Sequence, residues 1–189
     1  MRKLKLQMQI TLDGFVAGPN GENDWVFVPG AQDPAALQST LDVADSCDTI
    51  LAGSKMIAGF SAHWENVADN EPDNPWNPFA KLMVSHRKIA FSRTKTSIPG
   101  IRNLEVENGD LATVVNALKN QPGKDILAYG GAGFASSLVS LNLIDEYYFV
   151  VNPVAIGSGL TIFNERKILK LESSTAYRNG KLLNVYVPL

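Results

Sequence analysis

The residues with the clearest chemical potential form a glycine-rich segment late in the chain, Asp125-Ile-Leu-Ala-Tyr-Gly-Gly-Ala-Gly-Phe134. An apolar run typical of a buried strand leads into small residues where a helix is predicted to begin. Without Cβ atoms, the backbone can approach a ligand closely, and the first helical turn offers free N–H donors and partial positive charge. The segment therefore predicts a pyrophosphate site. The alternative is that Gly130 and Gly131 only permit a tight turn, since glycine tolerates positive φ.

The composition limits the classes of protein to which the chain can belong. Its 189 residues suffice for one domain with a substantial core, and 45% apolar with 19% charged residues is typical of a globular protein. The formal net charge of -2 gives no electrostatic footprint for nucleic acid or a membrane surface. The lone cysteine, Cys47, and the lack of a signal peptide or span-length apolar run favour the cytoplasm. We expect one cytoplasmic domain, residues 1–189.

The apolar pattern predicts strands that alternate with helices. Apolar and polar residues alternate from Lys3 to Leu12, which predicts a half-buried first strand. Asp33-Pro34 and Asp110 are predicted to begin helices, because aspartate caps a helix and proline suits its first turn. A third helix is predicted after the glycines. Further strands are predicted at 48–53, 88–91, around Leu104 and Val106, at 125–129 and at 146–151.

Two other segments complete the expected architecture. The stretch between Ser61 and Asn77, rich in Pro, Asn and acids, predicts a surface loop long enough to be a flap. Its Trp64 and Trp76 could cover substrate, anchor the loop or line a dimer contact. Asn179-Gly180 predicts a type I′ hairpin near the C-terminus. The predicted fold is α/β, with a mostly parallel sheet, an antiparallel C-terminal hairpin and helices on both faces.

Several motifs, in order along nearly the whole chain, resemble the dihydrofolate-reductase-like superfamily. Thr11-Leu-Asp-Gly-Phe-Val-Ala-Gly18 and Gly21-Glu-Asn-Asp-Trp25 resemble its opening. Later segments of the chain resemble other signatures of that superfamily: Asp48-Thr-Ile-Leu-Ala-Gly53, Phe91-Ser-Arg-Thr94, Tyr129-Gly-Gly-Ala132, Leu143-Ile-Asp-Glu146 and Asn152-Pro-Val-Ala-Ile-Gly-Ser-Gly159. The set is most similar to the C-terminal reductase domain of the bifunctional riboflavin-biosynthesis deaminase/reductase. The sequence has no deaminase zinc motif, which indicates a stand-alone reductase domain with a three-layer dihydrofolate-reductase-like fold.

The resemblance implies that NADPH, or NADH, is held by three turns. Family members commonly have Gly-Arg-x-Thr after the second strand, with the arginine on the 2′-phosphate, and here Ser54 and Met56 replace the arginine and the threonine. Lys55 and Arg93 remain as cations, and arginine can grip a phosphate bidentately. The family also implies an unusual peptide geometry at the paired glycines. The expected cofactor-binding residues are Val16, Ala17, Gly53, Ser54, Lys55, Met56, Ser92, Arg93, Tyr129, Gly130, Gly131, Ala132, Gly133 and Phe134.

The implied reaction is hydride transfer to a small pyrimidine or pterin-like ring at a CH–NH or CH–OH group, where the protein mainly positions the reactants. Val16 and Ala17 are placed by the resemblance at the nicotinamide, although ordinary core packing explains them equally well. A carboxylate could supply the proton, and the candidates are Asp13 and Asp24. A turn role for Asp13 and simple exposure for Asp24 are the alternatives.

The remaining expectations concern other ligands and other functions. His63 and His86 are isolated, so no metal site is predicted. Candidates for a substrate phosphate are Lys81, Arg87 and Lys88. A homodimer is expected from the family, through the 147–151 strand or the terminal hairpin. The alternative functions are a non-catalytic dinucleotide- or pterin-binding regulatory module and, last, a conventional dehydrogenase, whose glycine fingerprint should follow the first strand.

Overall fold

A computed structural model describes residues 1–27 and 33–189, except for the side chain of Phe27. The strands are β1 Leu4–Thr11, β2 Cys47–Gly53, β3 Arg87–Phe91, β4 Leu104–Glu107, β5 Asp125–Tyr129, β6 Glu146–Asn152, β7 Leu169–Ala176 and β8 Leu182–Pro188. The helices are α1 Pro34–Asp45, α2 Ile57–Asn70, α3 Asn77–Ser85, α4 Leu111–Lys119 and α5 Ala132–Ser140, with a 3-10 helix at Asp24–Phe27. The predicted strands are therefore confirmed, most of them to within a residue.

All eight strands form one sheet in the order β4-β3-β2-β5-β1-β6-β8-β7. Strands β1 to β6 run parallel, with Leu6 of β1 opposite Ala128 of β5 and Tyr147 of β6. Strands β7 and β8 form the antiparallel hairpin at one end. Because β1 to β6 are parallel, their carboxyl ends share one edge of the sheet, the usual location of ligands in open α/β sheets.

Helices cover both faces of the sheet, as predicted. One face of β1, with Leu4, Leu6 and Met8, packs with apolar residues of α4 and α5. The opposite face of β2 and β5, with Ile50 and Leu127, packs with residues of α1, α2 and α3. This arrangement confirms a dihydrofolate-reductase-like α/β fold.

The prediction of a half-buried first strand was wrong. Lys5 and Gln7, the polar positions of β1, are only 7% and 6% exposed. β1 lies in the middle of the sheet with helices over both faces, so its polar side chains are buried and must find hydrogen-bond partners. Lys5 does so through Asp125, 2.9 Å away, and through the Ser46 hydroxyl.

Cys47 is also buried, and burial raises the pKa of its thiol to about 11.

Aspartate caps begin two helices as the sequence predicts. Asp33 Oδ1 accepts from the amides of Ala35 and Ala36, with Pro34 in the first turn of α1. Asp110 Oδ1 accepts from the amide of Thr113 at the start of α4. Both cap predictions are confirmed, because a short side chain can accept hydrogen bonds from the amides that the first turn of a helix leaves unpaired.

The surface loop predicted between Ser61 and Asn77 is largely helical instead. Residues 57–70 form α2, and α3 begins at Asn77. Trp64 packs against Trp76 and Phe79, with ring centroids 6.1 and 4.7 Å away, so both tryptophans join the two helices. The polar composition concealed an apolar helical spacing at Phe60, Trp64 and Val67.

The hairpin lies at the predicted place but has a different turn. The amide of Gly180 donates to Tyr177 O. Gly180 has a positive φ of 82°, whereas Asn179 is not among the described residues with positive φ. A type I′ turn would need positive φ at two central residues. A type I turn followed by a glycine bulge fits these observations better.

Candidate functional site

The N-terminus of α5 leaves backbone amides open at the carboxyl edge of the sheet. Gly131 occupies the N-cap with φ 39° and ψ 127°, and no side chain caps the helix there. The first helical bond runs from the amide of Ala135 to Gly131 O, and the amides of Ala132, Gly133 and Phe134 donate to no described group. A Cβ added at Gly133 would meet nothing within 4 Å. These features suit an anion held by backbone donors.

The turn after β2 lies directly against this helix start. A Cβ on Gly131 would be 4.0 Å from that of Met56, and one on Gly53 would be 3.2 Å from the Cβ of Phe134. The Phe134 ring stacks on Phe91 at 5.4 Å, which adds the end of β3 to the same cluster. The predicted cofactor segments after β2, β3 and β5 are therefore neighbours in space, and their binding of a cofactor stays a prediction.

The cations predicted beside these turns are exposed and unpaired. Lys55 and Arg93 make no ion pair within the part of the chain that the structure describes. Ser92 Oγ accepts from the amides of Thr94 and Lys95, which fixes the Arg93 loop. The amide of Ser54 donates to Phe91 O at 3.0 Å and so joins this turn to the end of β3.

Asp13 holds two loops together. Its Oδ1 accepts from the Thr11 hydroxyl at 2.6 Å, and its Oδ2 accepts from the amides of Ile156 and Gly157 at 3.0 and 2.7 Å. The hydrogen bond from Thr11, and then that from Gly157, lowers the pKa of the Asp13 carboxyl. These contacts favour the structural alternative for Asp13, and its role as proton donor stays a prediction.

The Phe15–Ala17 segment forms a short bridge to the loop after β6. The amide of Val16 donates to Leu160 O and the amide of Leu160 to Ala17 O, both at 2.8 Å. A Cβ on Gly159 would lie 2.2 Å from Ala17 O, so only glycine fits there. Val16 is 8% exposed and packs in the core, which favours its structural alternative.

Asp24 begins the 3-10 helix and is exposed, with no hydrogen bond to a described residue. The next residue, Trp25, has a buried Nε1 with no described partner. Lys181 donates to Val26 O at 3.1 Å, so this helix lies beside the start of β8. Burial lowers the pKa of the Lys181 amine.

A row of uncharged polar side chains crosses β5, β1 and β6 on the α1–α3 face, and the sequence analysis missed it. Tyr129 Oη donates to Gln7 Oε1 at 2.8 Å, and Asn152 Nδ2 donates to Gln9 Oε1 at 2.9 Å. Burial raises the pKa of Tyr129 well above its usual value, so the phenol remains neutral. The polar positions of a central strand were the available signal, but they had been assigned to solvent.

The other predicted residues lie away from this edge. His86 is buried with Nε2 3.0 Å from Ala44 O, and His63 is exposed against the Trp64 ring. Arg87 and Lys88, predicted as candidates for a substrate phosphate, begin β3 at the edge of the sheet opposite the glycine turn, which disfavours that role for them. Arg87 pairs with Glu105, and Lys88 is 1% exposed. The third candidate, Lys81, is exposed on α3.

Comparison with known proteins identifies the family. The parallel sheet, the C-terminal hairpin and the glycine turn before α5 define a dihydrofolate-reductase-like α/β protein. The chain belongs to the RibD C-terminal domain family, whose model matches residues 2–183.

Its relatives cover nearly the whole chain. The uncharacterized protein YyaP of Bacillus subtilis (strain 168) is 34% identical over 188 residues, which are 98% of this chain and 94% of that protein. A putative riboflavin biosynthesis protein from Shewanella sp. PV-4 has a similar structure, with TM-score 0.72, 17% identity and 99% coverage of both chains. RibD of Acinetobacter baumannii matches with TM-score 0.67 and 17% identity over all of this chain and 58% of its own. In the described residues no helix is long and apolar enough to cross a membrane.

Proposed function

We propose that the protein is an NADPH-dependent reductase that transfers hydride to a small pyrimidine or pterin-like ring in the cytoplasm. A bifunctional deaminase/reductase with 5-amino-6-(5-phosphoribosylamino)uracil reductase activity in its name, from Thermotoga maritima, shares the fold with TM-score 0.63 at 15% identity over 57% of its length. The observation that carries the proposal is the uncapped start of α5 behind Gly131. The family relationship supports an oxidoreductase.

The residues at this edge fit a dinucleotide. The free amides of Ala132 to Phe134 would hold the pyrophosphate, and Gly131 and Gly133 leave the space for its approach. Arg93 and Lys55 would contact the 2′-phosphate, which favours NADPH, while NADH lacks that group. A bound dinucleotide would supply the hydride, and the chain would hold the two rings in contact and exclude water.

Asp24 is the better proton donor of the two carboxylates. Both oxygens of Asp13 already accept hydrogen bonds, and its lowered pKa opposes protonation. The Asp24 side chain is exposed and has no hydrogen-bond partner among the described residues, so its carboxyl group is free to contact a substrate directly or through water.

A non-catalytic binding module is the second candidate. The engagement of Asp13 favours it, because both oxygens of this candidate acid hold the two loops together. Binding of NADPH without turnover of any pyrimidine or pterin would support this candidate over the reductase.

The terminal hairpin offers the surface for the proposed homodimer. β6 lies between β1 and β8, and its Tyr147 and Phe149 are 2% and 5% exposed, so that strand offers no free surface. β7 is an edge strand with Leu171 50% exposed, and edge strands readily pair with a second chain. Sedimentation at the mass of a monomer would contradict this assembly.

The dinucleotide site is tested by Gly131→Ala, with Gly100→Ala as the matched control. Both glycines have positive φ, 39° and 79°, so alanine strains the backbone at each by about 1 kcal/mol or more. Only Gly131 lies at the amides of α5. We expect Gly131→Ala to weaken NADPH binding about ten-fold or more, because it displaces donors to a charged group.

NADPH binding is measured by calorimetry and by the rise in melting temperature with ligand. Gly100→Ala should bind as the original protein does. The proposal would lose its basis if the unsubstituted protein bound neither NADPH nor NADH. It would also lose its basis if the two variants bound NADPH equally well.

A further inference from the structure

The 92–95 turn, which carries Arg93, is held by two polar side chains. Ser92 Oγ accepts from the amides of Thr94 and Lys95 at 3.3 and 2.9 Å, from inside the turn. Asn108 Nδ2 donates to Ser92 O and to Lys95 O, both at 2.8 Å. A carboxamide nitrogen has two hydrogens, so both are used here. One side chain therefore holds the first and last residues of the turn together.

The backbone of Asn108 is itself fixed beside this turn. The amide of Ser92 donates to Glu107 O at 3.0 Å, which extends the pairing of β3 and β4 by one bond. Glu107 Oε1 accepts from the amide of Gly109 at 2.7 Å, so the chain bends directly after Asn108. Within the described chain no other side chain donates to a carbonyl of the turn. Asn108 is therefore the link between the turn and the end of β4.

The 92–95 turn presents two cations without acidic partners. Arg93 and Lys95 are both exposed, and neither forms an ion pair with a described residue. Glu107 and Asp110, the acids that flank Asn108, already accept hydrogen bonds from backbone amides of their own segments. The turn can therefore offer both positive charges to an anionic ligand.

The order of this turn depends on hydrogen bonds. Later in the same loop, Ile98 and Ile101 pack against the apolar cluster that contains Ala52 and Ala90. The 92–95 turn is exposed except for the half-buried Ser92, so apolar packing contributes little to its order. A turn that must become ordered when its ligand binds loses affinity to conformational entropy. Cations on a turn that is already closed avoid that loss.

We propose that Asn108 is a positioning residue that raises the preference for NADPH over NADH by holding Arg93 and Lys95 in place for the 2′-phosphate. The inference rests on the proposed function, because the 2′-phosphate is the part by which the two dinucleotides differ. Asn108 touches no ligand in this proposal. Its effect passes through the backbone of the turn, so it should change the affinity for NADPH and leave that for NADH as it is.

The main test compares Asn108→Ala with Asn103→Ala. Asn103, just before β4, is also exposed and also donates with Nδ2 to two backbone carbonyls, Val84 O and Ser85 O, at 3.1 and 3.3 Å. Asn108→Ala should weaken NADPH binding about three-fold and leave NADH binding unchanged, because two hydrogen bonds that close the turn are lost. Asn103→Ala should leave both affinities unchanged, although alanine at its φ of 56° also strains the backbone.

Calorimetric titration of the full chain with each dinucleotide measures the preference. Equal weakening of NADPH and NADH by Asn108→Ala, an unchanged preference, or the same loss of preference in Asn103→Ala overturns the proposal. A protein that binds neither dinucleotide contradicts the proposed function itself. A protein that prefers NADPH whatever residue stands at position 108 overturns only the role of Asn108.

A second background separates positioning from a general loss of stability. In a protein that carries Arg93→Leu and Lys95→Leu, the turn has no cation to position. Asn108→Ala should then cause no further loss of NADPH binding, because residues that act as one unit are not additive. The same loss in that background as in the original protein overturns the proposal.

Hydrogen exchange tests the role of Asn108 without any ligand. The amides of Thr94 and Lys95 should exchange about three-fold faster or more in Asn108→Ala, because the turn opens more often when Ser92 O and Lys95 O lose their donor. Amides of the central strands report in the same experiment that the variant is folded. Unchanged exchange at Thr94 and Lys95 overturns the proposal, because the turn would then be held without Asn108.

Discussion

The two edges of the parallel sheet treat their polar groups differently. At the amino edge, Arg2 bonds Asp48, Thr49 Oγ1 and Lys124 O, and Lys119 bonds Leu143 O and lies 2.6 Å from Asp145. Both of these buried cationic side chains therefore have protein acceptors. At the carboxyl edge, the helix amides behind Gly131, the carboxamide nitrogens of Gln7 and Gln9 and the Arg93 guanidinium have none within the described chain.

The difference separates stability from function. Burying an unpaired polar group opposes folding, so a fold keeps such groups mainly where a ligand can satisfy them. The amino edge therefore stabilises the fold, and the carboxyl edge is available for binding. Each prediction below changes a charged group at one edge and asks whether the other edge responds.

The largest effect is expected from Arg2→Met at the amino edge. Arg2 is 7% exposed and joins β1 to β2 and to the start of β5. Its removal leaves acceptors unpaired, and we expect the free energy of unfolding to fall by about 3 kcal/mol. Chemical denaturation measures this loss. NADPH affinity of the folded protein should not change, and a large change would contradict the separation of the two edges.

A pH-dependent effect of similar size is expected from Lys88, also at the amino edge. It is 1% exposed and donates to Val84 O and His86 O, and no described carboxylate pairs with it. Burial lowers its pKa from 10.5 to about 8, so between these pH values the unfolded chain binds a proton that the folded chain does not. Stability from this group is therefore gained as pH rises from 8 towards 10.5.

Lys88→Met is the comparison that isolates this effect. The stability of the original protein relative to Lys88→Met should increase by about 3 kcal/mol between neutral pH and pH 10.5. Tyrosines titrate in the same range, but they do so in both proteins and cancel in the difference. A difference that stays flat with pH would mean that Lys88 keeps its ordinary pKa when folded.

The sequence could predict those features that depend on residues close together in the chain. Asp33 and Asp110 cap their helices as expected, because a cap depends on residues within one turn. The mostly parallel sheet with its antiparallel C-terminal hairpin and the dihydrofolate-reductase-like fold also follow from pattern and resemblance. The helix over 57–70 was missed, because its polar surface outweighed the spacing of Phe60, Trp64 and Val67.

The row of uncharged polar side chains across β5, β1 and β6 could not be predicted, because it depends on pairing between distant segments. Gln7 meets Tyr129, and Gln9 meets Asn152, more than a hundred residues away in each case. An alternating strand looks half exposed until the helices that cover its polar face are placed. Asp13 is a candidate acid because it is a carboxylate in the N-terminal loop region, while its bonds to Ile156 and Gly157 appear only in the folded chain.

The smallest effect is expected from the two arginines at the ends of β3. Arg87, at the amino edge, pairs with Glu105 on the surface, and Arg93, past the carboxyl edge, has no described acidic partner. Arg93→Leu should weaken NADPH binding about five-fold and leave NADH binding unchanged, because only NADPH carries the 2′-phosphate. Calorimetric titration of both cofactors measures this preference.

Arg87→Leu is the control on the same strand, and its exposed ion pair contributes at most about 1 kcal/mol to stability. It should leave both cofactor affinities unchanged. If Arg93→Leu weakened NADPH and NADH equally, the arginine would act on a part common to both, such as the pyrophosphate. The 2′-phosphate contact would then fall to Lys55, because it is the cation on the neighbouring turn after β2.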